Sequence, residues 1–137
     1  MKTPYELAYR YVIPYIQRRL VQALKERGMT NTEIANKLGI TPSAVTRYLK
    51  GERGTEIDLS THADIEGFID SLADAVVEKD LNKYDIIAAV TAITSYALAR
   101  KYLCTYHARL EKDVDPIRCR VCERVFSGSV ELISSLT

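Results

Sequence analysis

Ser43, Thr46, Arg47 and Lys50 are separated by intervals of three and four residues, so a helix over that stretch carries all four on one face. Hydroxyl and cationic groups presented together are the groups that bond base edges and phosphate oxygens of a nucleic acid. A second set of reactive side chains lies further along. Cys104 and His107 are followed, after eleven residues, by Cys119 and Cys122, a C-x2-H-x11-C-x2-C array. Soft or borderline ligands two residues apart can close on one tetrahedral ion, and spacing of this kind reads as a zinc site. An iron–sulfur cluster is the alternative occupant, although it favours more thiolates. A redox-active Cys119–Cys122 pair, or three ordinary thiols beside a surface histidine, are the other readings of the same residues. Zinc held there would be structural, because four protein ligands leave no open position for chemistry.

The elements needed to position the first set are written around it. Thr30, with Glu33 three residues later, forms a capping box for a helix whose Ile34, Ala35 and Leu38 share one face. Gly39 suits the left-handed conformation that ends such a helix. Thr41 caps the next helix, and Pro42 fits its first turn, where no N–H is needed. Val45, Tyr48 and Leu49 then point inward, while Ser43, Thr46, Arg47 and Lys50 point outward. Ala35 is small where the two helices cross, and Ile40 buries the turn. Two short helices so joined make a helix-turn-helix, in which the first braces the second against the major groove of double-stranded DNA. On this reading Arg47 makes a bidentate contact to a guanine edge, and Ser43 and Thr46 contact bases or nearby phosphates. Thr41, at the start of the second helix, belongs to the same DNA-binding set. Asn31, Lys50 and Arg53 hold the backbone without reading sequence.

Charge is distributed to match. Residues 1–55 carry a formal net charge of +6 and residues 56–103 one of −5, within a chain whose total is only +1. The basic part contains the helix-turn-helix, as phosphate binding requires.

The 137 residues suffice for one domain, or for a small head and a second module, with a core that needs no disulfides. The longest apolar stretch, Ile86 to Ile93, is interrupted by Thr91 and is too short to cross a membrane. Met1-Lys2 leads into Pro4 and Glu6 without the apolar segment of a signal peptide. A cytoplasmic location is expected, with reduced thiols. Thr3-Pro4-Tyr5-Glu6 reads as a further capping box, opening a helix through Leu7, Tyr11 and Val12 that Pro14 kinks or restarts. Ile16, Leu20, Val21 and Leu24 continue on one face to Gly28. Gly51-Glu52-Arg53-Gly54 closes the head, and residues 55–61 look like a polar linker with isolated Ile57 and Leu59. A helix is predicted from Ala63 to Lys79 and a long one from Tyr84 to Arg109. The first half of the long helix is apolar nearly all round and must be buried on several sides. It is therefore expected to form a homodimer interface within residues 63–100, the alternative being the central helix of the monomer's own core. Val125 to Thr137 is a weak, Ser-rich helix candidate. The expected fold is all-α: a helix-turn-helix domain over 1–55 and a helical region over 62–137 that carries dimerisation and the metal-binding tail.

The head resembles the lambda-repressor-like, or Cro-type, helix-turn-helix regulators, and more narrowly a group of predicted archaeal transcriptional regulators. The resemblance rests on Pro4-Tyr5-Glu6, Tyr11-Val12-Ile13-Pro14-Tyr15-Ile16 with Leu20, Glu33-Ile34-Ala35, and Leu38-Gly39-Ile40-Thr41. It continues through Ala44-Val45-Thr46, Tyr48-Leu49 and Gly51-Glu52-Arg53-Gly54, and Cys-x-x-His and Cys-x-x-Cys tails also look like that group. Such regulators commonly carry Gln where Asn31 and Pro42 stand. Pro42 lacks the polar reach of Gln, which shifts base reading to Ser43, Thr46 and Arg47. The group often has an earlier Cys pair where Thr91 and Thr94 stand, so a cluster that needs those ligands would be reduced or lost in this chain.

The expected function is sequence-specific DNA binding in transcriptional regulation, as a homodimer. The alternative is a helix-turn-helix adaptor or antitoxin that binds a protein partner through its acidic middle. An enzyme is not expected: the chain has no Gly-rich phosphate loop, no Ser/His/Asp order and no open metal site. His62 near Asp64 reads as a linker residue rather than a general base.

Overall fold

The computed structural model describes residues 3–137, the side chain of Ser129 excepted; Met1 and Lys2 lie outside the described residues. The order of elements is α1 (Pro4–Leu7), a π-helical turn (Ala8–Val12), α2 (Ile13–Glu26), α3 (Asn31–Leu38), α4 (Pro42–Leu49), α5 (Ala63–Glu78), α6 (Lys83–Ala99), α7 (Cys104–Leu110), α8 (Val121–Phe126) and α9 (Ser129–Leu136). No strand occurs among the described residues, and the fold is all-α.

The first helix starts on Pro4 but without the expected box: Thr3 is extended and its hydroxyl caps nothing. Pro14 neither breaks nor restarts the helix. A proline there has no N–H for the Arg10 carbonyl and its ring would crowd that group. The chain widens into a π turn just before it, with the Ile13 N–H donating to the Ala8 carbonyl five residues back. Helical backbone therefore runs on into α2.

α2 is the spine. Val12, Tyr15, Ile16, Leu20, Val21 and Leu24 are fully buried, facing α4 on one side and α5 and α6 on the other. Each such aliphatic side chain contributes about 1.5–3 kcal/mol by leaving water. The flank of α2 toward α5 is polar and paired. The Tyr15 hydroxyl donates to Glu66 Oε1 at 2.5 Å, and Arg19 meets Glu66 Oε2 at 2.9 Å. Arg27 Nε donates to Asp74 at 2.8 Å. Lys37 of α3 pairs with Asp80 after α5 and donates to the Leu81 carbonyl at 3.2 Å. Part of the basic excess of the head is thus matched by the acidic middle of the same chain.

Two further expectations are corrected. Residues 55–61 are not a free linker, since Ile57 and Leu59 are buried and belong to the cluster that runs from Leu7 to Ile133. The long helix does not reach Arg109. It ends at Ala99, where Lys101 turns left-handed at φ 64° and the chain restarts at Cys104. The apolar circumference of α6 is covered within the chain, by α8 and α9 on one side and by α2, α3 and α5 on others. The reason for invoking a second subunit there is met internally, apart from exposed Tyr84 and Ile87.

The break after α6 has a visible tertiary cause. It brings Tyr102 beside Tyr96, and both hydroxyls donate to Asp64 Oδ2 at 2.6 Å. His62 stacks on Tyr102 with ring centroids 3.7 Å apart, so it is a packed residue. Burial works to raise the Asp64 pKa, but the bonds from Tyr102 and Tyr96 outweigh it and hold the carboxyl below its usual range. Tyr96 is pushed up to about 12, first by its bond to Asp64 and then by burial. The Asp64 contribution is present above the ordinary carboxylate range and is lost as pH falls through the depressed value. The Tyr96 contribution is present below the ordinary phenol value of about 10 and is lost as pH rises through about 12. Asp64→Asn is expected to cost about 1–2 kcal/mol in urea unfolding. The same substitution is expected to return one tyrosine to an ordinary titration in the ultraviolet; an unchanged alkaline titration would remove Asp64 from that role.

Candidate nucleic-acid interface

The helix-turn-helix forms from its own local signals. Glu33 N–H donates to Thr30 Oγ1 at 3.2 Å, and the Thr30 N–H donates to Glu33 Oε1 at 3.3 Å, which completes the box. Gly39 ends α3 at φ 67°, and the Ile40 N–H donates to the Ala35 carbonyl at 3.1 Å. Thr41 Oγ1 accepts from Ala44 N–H at 3.1 Å, with Pro42 in the first turn of α4. Ile34, Ala35, Ala44, Val45 and Tyr48 are buried between the two helices and α2, while Leu38, Ile40 and Leu49 close the edges.

This packing turns the other face of α4 outward. Thr41, Ser43, Arg47, Lys50 and Arg53 are exposed, and Thr46 is half-buried. Thr46 donates its hydroxyl to the Pro42 carbonyl at 3.1 Å, so it offers a ligand acceptor electrons and a methyl group rather than a proton. Ser43 and Arg47 are the donors left free to read an edge. Asn31 is half-buried at the start of α3, and Lys25 Nζ donates to its Oδ1 at 2.9 Å, which leaves its amide N–H groups for a phosphate. Among the described residues Arg10, Arg47, Lys50 and Arg53 join no ion pair. Arg18 and Lys25 of the head also join none, but each donates to a neutral oxygen, the Gly54 carbonyl and Asn31 Oδ1.

Two side chains of α2 that sequence reasoning passed over set the pose of α4. Gln17 Oε1 accepts from the Tyr48 hydroxyl at 2.5 Å, and Arg18 Nε donates to the Gly54 carbonyl at 2.9 Å. Burial raises the Tyr48 pKa, against the pull of Arg53 beside it. A faint sequence signal existed: Gln17, Arg18 and Arg19 form a polar run between the buried Tyr15-Ile16 and Leu20-Val21 of α2.

The cysteine array is only partly assembled. Cys104, Cys119 and Cys122 sense one another electrostatically, and burial pushes Cys104 up and Cys122 up to about 11. His107 is buried in a crevice lined by Glu6, Leu7 and Arg10. Among the described residues no three His, Cys, Asp or Glu side chains gather where they could hold a metal ion. A closed tetrahedral site needs four ligands at one point with thiols deprotonated.

A family model described as helix-turn-helix matches residues 20–61, the stretch from the middle of α2 through Thr61. Residues 20–61 are thus similar to helix-turn-helix domains. That family is a DNA-binding, regulatory one. Among curated proteins and among solved structures, none matches the chain. No helix among the described residues is long and apolar enough to cross a membrane.

The helix-turn-helix domain depends on a close approach at Gly54. Its φ is 76°, and a Cβ there would lie 2.3 Å from the Pro14 carbonyl oxygen. Neither the torsion nor the backbone neighbour can yield cheaply. Gly54→Ala is expected to destabilise by more than about 1 kcal/mol in denaturant unfolding and to weaken DNA binding; a neutral result would show that the loop is not seated on α2.

Proposed function

We propose that the protein is a sequence-specific, double-stranded-DNA-binding transcriptional regulator that inserts α4 into the major groove. The observation that carries this reading is the outward face of α4, where Ser43, Arg47 and Lys50 are exposed and both cations lack an acidic partner among the described residues. A guanidinium so placed matches the two acceptors of guanine in the major groove. Asn31 at the start of α3, together with Thr41, Lys50 and Arg53, holds the backbone, and Ser43 and Thr46 contact bases or adjacent phosphates. In this reading the protein acts in the cytoplasm as a homodimer, with two copies of α4 about 34–36 Å apart on successive major grooves. Exposed Tyr84 and Ile87 on α6 support a self-association face.

Selection of bound duplexes from a random pool gives the operator, and light scattering gives the assembly state. Arg47→Ala is expected to cost about 1–3 kcal/mol on the selected site and to relax preference at one base pair. Equal loss on every sequence would assign Arg47 to a phosphate instead.

A further inference from the structure

A polar cleft of about 540 Å³ lies beside α4, off the face just described. One wall is the π-helical turn, with Tyr9, Arg10 and Tyr11, and the other is the loop after α4, with Arg53 and Gly54. The extra residue of the π turn leaves consecutive Tyr9 and Arg10 both exposed at its rim. Arg10 and Arg53, remote in sequence, therefore open on one concavity. Its frame is held in place: Tyr48 of α4 donates to Gln17 at 2.5 Å, and Arg18 pins the Gly54 carbonyl at 2.9 Å.

The two unpaired guanidinium groups point to the ligand. Glu52 and Glu56 also line the cleft, yet neither forms an ion pair with Arg10 or Arg53 among the described residues. Two guanidinium groups that share an open concavity without a carboxylate partner suit an anion with several acceptor oxygens. The cleft adjoins the C-terminal end of α4, and a helix lying in the major groove has a sugar-phosphate backbone running along each side. We propose that this cleft seats a backbone phosphate of the bound duplex, held between Arg10 and Arg53. The π-helical turn is then a second DNA-contacting element, and the interface extends beyond the helix-turn-helix into the helix before it. This rests on the DNA-binding reading above.

The test is the salt dependence of affinity for the selected duplex and for an unrelated one. A wild-type protein whose binding does not fall with salt overturns the DNA-binding reading itself. Given a steep wild-type slope, Arg10→Ala is expected to reduce its magnitude by about 1. It should also weaken both duplexes by a similar factor, about 5- to 10-fold at 0.1 M salt. Arg10→Lys, which keeps the charge, is expected to restore the slope. An unchanged slope for Arg10→Ala, in a protein whose Arg47→Ala variant still loses affinity, overturns the phosphate seat. So does a slope that Ala lowers and Lys fails to restore, because the loss would then come from altered packing of the turn.

Discussion

α2 must be buried from two directions at once, and this constraint organises everything else. Its apolar face supports α4, and its opposite flank lies against α5. A helix so enclosed cannot carry a polar group on that flank unless the group is satisfied. Tyr15 and Arg19 both find Glu66, and no buried side-chain nitrogen or oxygen among the described residues lacks a hydrogen-bond partner. Burial, followed by the bond to Glu66, drives the Tyr15 phenol far above its ordinary range, so it stays a neutral donor under all ordinary conditions. The result is a directional lock within an otherwise non-directional hydrophobic seam. Apolar packing alone would tolerate small rotations of α2 against α5, whereas a shared carboxylate fixes one register.

The same constraint explains why a near-neutral chain has a basic head. Arg19, Arg27 and Lys37 face acidic residues of α5 and the turn after it, whereas Arg10, Arg47, Lys50 and Arg53 do not. Net charge by segment mixes these two populations. Exposed pairs such as Lys37–Asp80 contribute little to stability, because water screens them. Their main effect is to choose which neighbour each element accepts. The unmatched cations act differently, because every phosphate they neutralise releases condensed counterions. On the DNA-binding reading, such groups matter more for association than the formal total suggests.

What was legible in the sequence was what is local. Thr30, Glu33, Gly39, Thr41 and Pro42 work within a few residues of themselves, so the helix-turn-helix and its outward residues could be read before any coordinates. The misreadings have distant causes. Lys101 turns left-handed because Tyr102 must reach Asp64, 38 residues earlier, and no periodicity in the 84–109 stretch records that. Ile57 and Leu59 looked isolated in a polar run, but the core they fill is built by helices on both sides of them. The apolar circumference of α6 was read correctly as needing cover on several sides. Its cover comes from α8 and α9, elements whose weak periodicity concealed them. Cysteine spacing, by contrast, leaves the orientation of each pair open. A two-residue gap brings a pair together only when both members face the same way, and His107 lines a crevice against α1 and the π turn.

Rigid presentation of α4 follows from where its supports are anchored. Tyr48 is tied to Gln17 and the following loop to Arg18, both on α2, and α2 is locked to α5 through Glu66. At the other end, Lys37 of α3 is tied to the turn between α5 and α6, and the Lys83 side chain lies over Gly39 in the helix-turn-helix bend. The reading helix is thus braced at both ends by the C-terminal helices. Ordering a helix only on contact with DNA would subtract from affinity, about 0.5–1.5 kcal/mol for each rotamer-rich side chain immobilised, with backbone cost added. Here the body has already met the backbone part of that cost on folding. The helices after α4 therefore hold the angle at which Arg47 leaves the surface.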